Sequence, residues 1–122
     1  MSEIKKTLVI GASDNPARYS NIAVNRLRKY GHPVVAIGSR QGQIGDVPFS
    51  RERPDDKDTD TVTLYLNAKR QEDYYDYILN LHPKRIIFNP GAENAVLKNR
   101  AEQKGIEVLE ACTLVLLSIR SY

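Results

Sequence analysis

Cysteine is almost missing from this chain: Cys112 stands alone among 122 residues. One thiol can neither close an internal disulfide nor supply a thiolate metal site by itself, so a disulfide scaffold is excluded and a reducing, cytoplasmic setting is expected. Histidine is nearly as scarce. His32 and His82 each stand directly before a proline, where a turn role is expected, and neither has a nucleophile partner. No Ser-His-Asp arrangement and no metal-ligand spacing is therefore present. No apolar run approaches the roughly 20 residues that span a bilayer, and the opening "MSEIKK" lacks the apolar segment of a secretory signal. An excess of one charge is lacking too, since 18 Lys and Arg stand against 15 Asp and Glu, a net charge of +3. These charges are scattered. A nucleic-acid interface would show a clustered basic face interleaved with aromatics, whereas a small anionic ligand needs only a local site.

What remains is an ordinary globular composition, 41% hydrophobic and 27% charged, in a length that suits one domain with a real core. Residues 1–122 are read as that one domain, because no repeat, low-complexity tract or linker divides them. Short apolar runs over Thr7–Ile10, Val34–Ile37, Thr61–Leu66, Arg85–Phe88 and Ile106–Leu109 predict five buried strands. Between them, Ala23, Leu27 and Tyr30 recur at helical spacing over 20–30, with Ser20 as a cap and Gly31 and Pro33 as a stop. Further helices are expected over Lys69–Leu81 and Glu93–Lys104, and the tail "CTLVLLSI" reads as a last helix or an apolar cover. This alternation predicts an α/β, Rossmann-like doubly wound domain with a mainly parallel five-stranded sheet and helices on both faces. The stretch from Gly38 to Asp60, rich in glycine, proline and charge, reads as a loop with at most a small strand.

The turn "GASDNPARYS" after the first strand falls where open parallel sheets hold their ligands, beyond the carboxyl ends of the strands. A following helix directs free N–H groups and partial positive charge at that place, which suits phosphate. Gly11 permits close approach, Ser13 and Ser20 offer hydroxyls, and Arg18 offers a guanidinium. The pattern is not G-x-G-x-x-G, because Ser13 takes the place of the second glycine. A plain strand-to-helix connection with a solvated Arg18 is the alternative. The second strand ends in Ser39 and Arg40, where NAD-binding domains carry an acid for the ribose hydroxyls. An arginine there suits a phosphorylated ribose, as in NADP or coenzyme A; a solvated loop arginine is the other reading.

Taken together, "GASDNPARYSNIAVNRLRKYGHPVVAIG", "TVTLYLN" and "NPGAEN…GIEVLEACTLVLL" resemble the small stand-alone proteins of the Rossmann-like CoA-binding domain family, related to the N-terminal domain of the succinyl-CoA synthetase α-subunit. The resemblance covers nearly the whole chain. It implies that Gly11, Ala12, Ser13, Arg18 and Ser20 line the pyrophosphate of coenzyme A, that Ser39 and Arg40 lie near the adenosine and its 3′-phosphate, and that Asn67, Asn89, Pro90 and Gly91 border the pantetheine arm. The chain departs from the synthetase in having no second domain and no evident phosphorylatable histidine. It also lacks the acid that many relatives carry after the C-terminal cysteine. The expected role is a non-catalytic module for CoA or acyl-CoA. The alternatives are an NADP-dependent oxidoreductase and an interaction subunit whose apolar tail, Leu114–Ile119, forms a homodimer face. Cys112 reads either as a small buried hydrophobe or as a thiol at a helix start able to exchange with that of CoA.

Overall fold

In the computed structural model, which describes residues 3–122, the apolar run Thr7–Ala12 forms strand β1 near the centre of a seven-stranded sheet. Met1 and Ser2 of the opening stretch lie outside the described residues. Strands β2 (Val34–Gly38) and β5 (Thr61–Leu64) pair with β1 on either side, both parallel to it. Beyond β5 come β6 (Arg85–Phe88) and β7 (Glu107–Glu110), again parallel. On the other side β4 (Val47–Ser50) runs parallel to β2, and β3 (Gly42–Ile44) closes that edge antiparallel to β4. The resulting order is β3-β4-β2-β1-β5-β6-β7.

The sheet thus has two strands more than the five expected, and both come from the stretch read as a loop. Ile44 pairs with Val47 across the two-residue turn Gly45-Asp46, with Gly45 at φ +56° as such turns require. Val47 and Phe49 point inward while Pro48 stays exposed, so the alternation of a half-buried strand is present. Glycines obscure it in the sequence. Gly38 and Gly42 mark a packing requirement here, because a Cβ at either position would collide with the Phe49 ring. Within that stretch, residues 51–60 are the longest part without a strand.

Helices α1 (Tyr19–Lys29) and α5 (Thr113–Ser118) cover one face of the sheet, where Val9, Val24, Leu27, Phe49 and Leu117 form one core. Helices α3 (Tyr75–Leu81) and α4 (Ala95–Gln103) cover the other, where Leu8, Ile10, Ile78, Leu97 and Ala101 form the second. The architecture is an α/β fold with a mixed, mostly parallel sheet between two helical layers. The helix expected over 69–81 is interrupted: α2 (Ala68–Gln71) passes through a 3₁₀ turn, Glu72–Tyr74, before α3 begins. Ser20 lies inside the first turn of α1 instead of capping it, and Arg18 holds the cap position.

Two details set the ends of the sheet apart. Along β1, Leu8 and Ile10 face one core and Val9 the other, as the pleat demands. The register against β2 then slips between Ile10 and Ala12, so Ala12 joins Val9 on the α1 face. This bulge at Gly11 turns the chain toward α1. At the opposite, amino edge, Arg85 is buried with its Nε–H donating to Thr61 Oγ1 at 2.7 Å and its guanidinium 4.3 Å above the Tyr122 ring. The Tyr122 hydroxyl bonds to Thr7, and its ring lies 5.0 Å from that of His32. His32 Nδ1 accepts the Lys5 backbone N–H at 3.0 Å, which requires an unprotonated nitrogen. Burial, reinforced by nearby Lys5 and Arg85, holds the His32 pKa below the usual histidine value. No described helix is long and apolar enough to cross a membrane.

Candidate functional site

A cavity of about 360 Å³ opens at the ends of β1 and β5, bordered by the loops after β5 and β6. The strand order reverses between β1 and β5, because β1 leads outward to β2 on one side while β5 resumes on the other. The crevice therefore lies at a topological switch point.

Gly11 forms its floor at φ +101°, a conformation that side-chain-bearing residues rarely adopt. A Cβ there would stand 3.1 Å from the Tyr65 carbonyl carbon and oxygen, so glycine lets the two chain segments approach. The turn that follows is tied to itself. The Asn15 N–H donates to Ser13 Oγ at 3.1 Å, the Ala17 N–H to Asn15 Oδ1 at 3.0 Å, and the buried Asn21 amide to Ser13 O at 2.9 Å. In these bonds the Ser13 hydroxyl is an acceptor, and its proton is left to donate.

Helix ends differ around the cavity. Asn67 Oδ1 caps α2 and Asn94 Oδ1 caps α4, whereas no side chain caps α1. The first-turn N–H groups of α1 are consequently free at Tyr19 and Ser20, which line the cavity, and the positive end of the helix dipole adds to them. Arg18 and Arg70 also line it, with no Asp or Glu among the described lining residues. Neither guanidinium makes an ion pair among the described residues. The site is an electropositive pocket with hydroxyl and amide donors, suited to an anion.

One buried side chain fixes its width. Gln71, fully buried, donates from Nε2 to Leu66 O at 2.8 Å and to Ala92 O at 2.7 Å. Its Oε1 accepts from Asn94 Nδ2 at 2.9 Å, and the same Asn94 nitrogen donates to the Tyr75 hydroxyl at 2.8 Å. The loop after β5 and the loop after β6 are thereby held together by one amide.

Of the residues singled out in the sequence, Gly11, Ala12, Ser13, Arg18, Ser20, Ser39, Asn67, Pro90 and Gly91 line this cavity. Asn89 does not. It is buried behind it, donating to Thr63 Oγ1 at 2.7 Å and Leu64 O at 2.9 Å and accepting the Thr113 N–H at 2.9 Å, so it joins β5, β6 and α5. Arg40 faces a separate hollow of about 890 Å³ beneath the β3–β4 hairpin, and its Nη2 lies 2.9 Å from Asp14 Oδ1. Ser39 borders both spaces. Sequence reading overlooked Arg70, Tyr19, Tyr65, Leu66 and Ala92. The Tyr65 hydroxyl is buried without a hydrogen-bond partner, and burial pushes its pKa well above the ordinary tyrosine value. It stays a neutral phenol at physiological pH and cannot serve as a base. Cys112 is half-buried at the start of α5 and is not part of the cavity wall.

Comparison with known proteins agrees with this geometry. A family model for a CoA binding domain matches residues 5–118. No curated protein matches the chain. A crystal structure of an uncharacterized protein is 42% identical, with a TM-score of 0.96 over 99% of this chain and 100% of that one. A conserved hypothetical protein from Pyrococcus furiosus is 26% identical, with a TM-score of 0.76 over 92% of this chain and 98% of that one. A hypothetical protein from Pyrococcus horikoshii OT3, 21% identical with a TM-score of 0.83 over 97% and 84% of the two chains, shares the fold. The family match begins just before β1 and ends with α5, taking in the whole sheet and every wall of the cavity: the chain belongs to the CoA-binding domain family.

Proposed function

We propose that this protein binds coenzyme A or an acyl-CoA in the cavity at the carboxyl ends of β1 and β5, as a non-catalytic binding module. The observation that carries this reading is the uncapped start of α1, set beside the unpaired Arg18 and above the bulged Gly11. Free N–H groups, a helix dipole and a guanidinium meet at one cavity, the combination that favours a diphosphate. Ser13 and Ser20 add hydroxyls from the same turn. Pro90 and Gly91 line the far side, where a pantetheine arm would leave the phosphates. Ser39 and Arg40 at the end of β2 would take the adenosine and its 3′-phosphate. Arg40 can do so by exchanging its exposed contact with Asp14 for the phosphate, since the two side chains are about 71% and 43% exposed and their pairing is weak.

A module without chemistry of its own is supported by what the titratable groups do. His32 accepts a backbone N–H at the far edge of the sheet, and a ring nitrogen of His82 lies 3.0 Å from Lys104 O. Tyr65, whose pKa burial raises, offers the cavity wall no base.

Isothermal titration with CoA, 3′-dephospho-CoA and NADPH in one buffer tests the reading. It expects CoA to bind and dephospho-CoA to bind more weakly. Binding of NADPH in preference to CoA would turn the assignment toward an NADP enzyme. Absence of binding by all three ligands would end the nucleotide reading.

A further inference from the structure

We propose that Arg70 is a second ligand-binding cation, and that together with Arg18 it makes the site selective for a diphosphate over a single phosphate. This rests on the reading of the cavity as a nucleotide site, which it deepens.

The two arginines reach the same 360 Å³ cavity from different elements, Arg18 from the start of α1 and Arg70 from α2. Two cations on separate walls match two linked phosphates. A diphosphate offers each guanidinium a phosphate of its own, whereas a lone phosphate must share its oxygens between the two. The backbone beneath Arg70 is fixed from both sides. Its own N–H donates to Asn67 Oδ1 at 3.0 Å, and the next residue is the buried Gln71, bonded to Leu66, Ala92 and Asn94. The guanidinium, by contrast, has no hydrogen bond or ion pair among the described residues. Other arginines on this side of the molecule are engaged: Arg40 with Asp14, Arg51 with Ser39 O at 2.6 Å, and Arg53 with Asp73 O at 2.7 Å while lying over the Tyr74 ring.

Arg70 also borders a smaller hollow of about 210 Å³ that extends past Gly38 and Ser39 to Asp73 and Tyr74. Gly11, Ser39, Leu66 and Arg70 are common to both spaces, so the side chain stands on the wall between them. A ligand running from the phosphate turn toward the end of β2 passes this guanidinium. Asp73 borders the smaller hollow and not the larger cavity, and it makes no ion pair with Arg70.

The test is titration of CoA, inorganic pyrophosphate and orthophosphate into the wild-type chain and into Arg70→Ala, Arg70→Gln, Arg70→Lys and Lys69→Ala. The last replaces an exposed neighbouring cation outside the cavity wall. Loss of Arg70 should weaken CoA and pyrophosphate by roughly tenfold to a hundredfold, and orthophosphate by much less, the scale of one charge-assisted contact. Arg70→Lys should restore part of the loss, and Lys69→Ala should match wild type. Arg70→Gln supplies the comparison should the alanine variant fold poorly. Unchanged CoA affinity in the folded Arg70 variants overturns the proposal while leaving the CoA reading intact. Arg70-dependent binding of pyrophosphate without any binding of CoA supports the clamp and defeats the CoA reading. Failure of the wild-type chain to bind pyrophosphate or CoA overturns both.

Discussion

At the amino edge of the sheet Arg85 is buried, bonded to Thr61 and stacked on Tyr122, while at the carboxyl edge Arg18 and Arg70 stand in an open crevice with no counter-ion among the described residues. The same side chain thus does two jobs in one fold. Arg85 has spent its charge on neighbours within the chain, although its Nη2 remains buried without a partner. Arg18 and Arg70 have kept theirs. A cation left unpaired beside an uncapped helix contributes little to folding, because water already solvates it, but it is available to an anion that displaces that water. The difference teaches where to look for function: at polar groups the fold could have satisfied and did not.

Mutations at the two edges should separate accordingly. Arg85→Ala should lower the unfolding free energy by about 3 kcal/mol, through lost packing on Tyr122 and the loss of the donor to Thr61 Oγ1, which keeps only its bond to Asp60. Affinity for CoA in the folded fraction should not change. Chemical denaturation checks the first claim, and a loss under about 1 kcal/mol would remove the structural half of the comparison. Arg18→Ala should do the reverse, weakening CoA by about 1–3 kcal/mol in titration while leaving the denaturation midpoint near that of wild type.

Smaller effects sharpen the contrast. His32 is held neutral in the native state among Lys5, Arg85, Asp60 and Tyr122, with its pKa below the unfolded value. Between those two values the unfolded chain binds the extra proton. Stability should therefore fall as the pH drops through about 6.5 and level off once the pH is below the native pKa. Thermal unfolding of wild type against His32→Gln isolates this, and parallel curves through that window would show that His32 does not titrate on unfolding. The smallest effect concerns Arg40. Its exposed pairing with Asp14 should be worth less than about 0.5 kcal/mol to the fold, so Arg40→Ala should keep its stability. It should narrow only the difference in affinity between CoA and 3′-dephospho-CoA, and equal losses for both ligands would detach Arg40 from the 3′-phosphate.

Much of this was legible in the sequence, for reasons that also explain what was not. Arg85–Phe88 is a strand in both readings because four buried residues bounded by a proline turn and an Asn-Pro-Gly turn leave no other option. The position of "GASDNPARYS" at the carboxyl edge of the sheet, beside the cavity, follows from the strand-helix alternation. The β3–β4 hairpin was missed because its glycines look like loop residues, and only the Phe49 ring, supplied by the next strand, reveals that they make room. The family resemblance puts Asn89 at the border of the pantetheine arm, whereas its side chain is buried behind the cavity. Its partners, Thr63 and Thr113, are distant in the chain and meet only through the pairing of β5 with β6 and the docking of α5. Arg70 carried no local signal, since an arginine on a short polar helix is ordinary until its neighbours are known. A hint did exist in Asn67, three residues earlier, which marks where α2 must begin and so which way the next side chains project.

The amide of Gln71 has a thermodynamic corollary. By bonding Leu66 and Ala92 at once, it sets the span of the mouth during folding, so the entropy of ordering those loops is lost before a ligand arrives and is not charged against its affinity. The mouth then behaves as a fixed gauge. Guests differing in what they carry beyond the gauge, a free thiol or an acyl chain, would meet the same aperture and be distinguished only by what lies outside it.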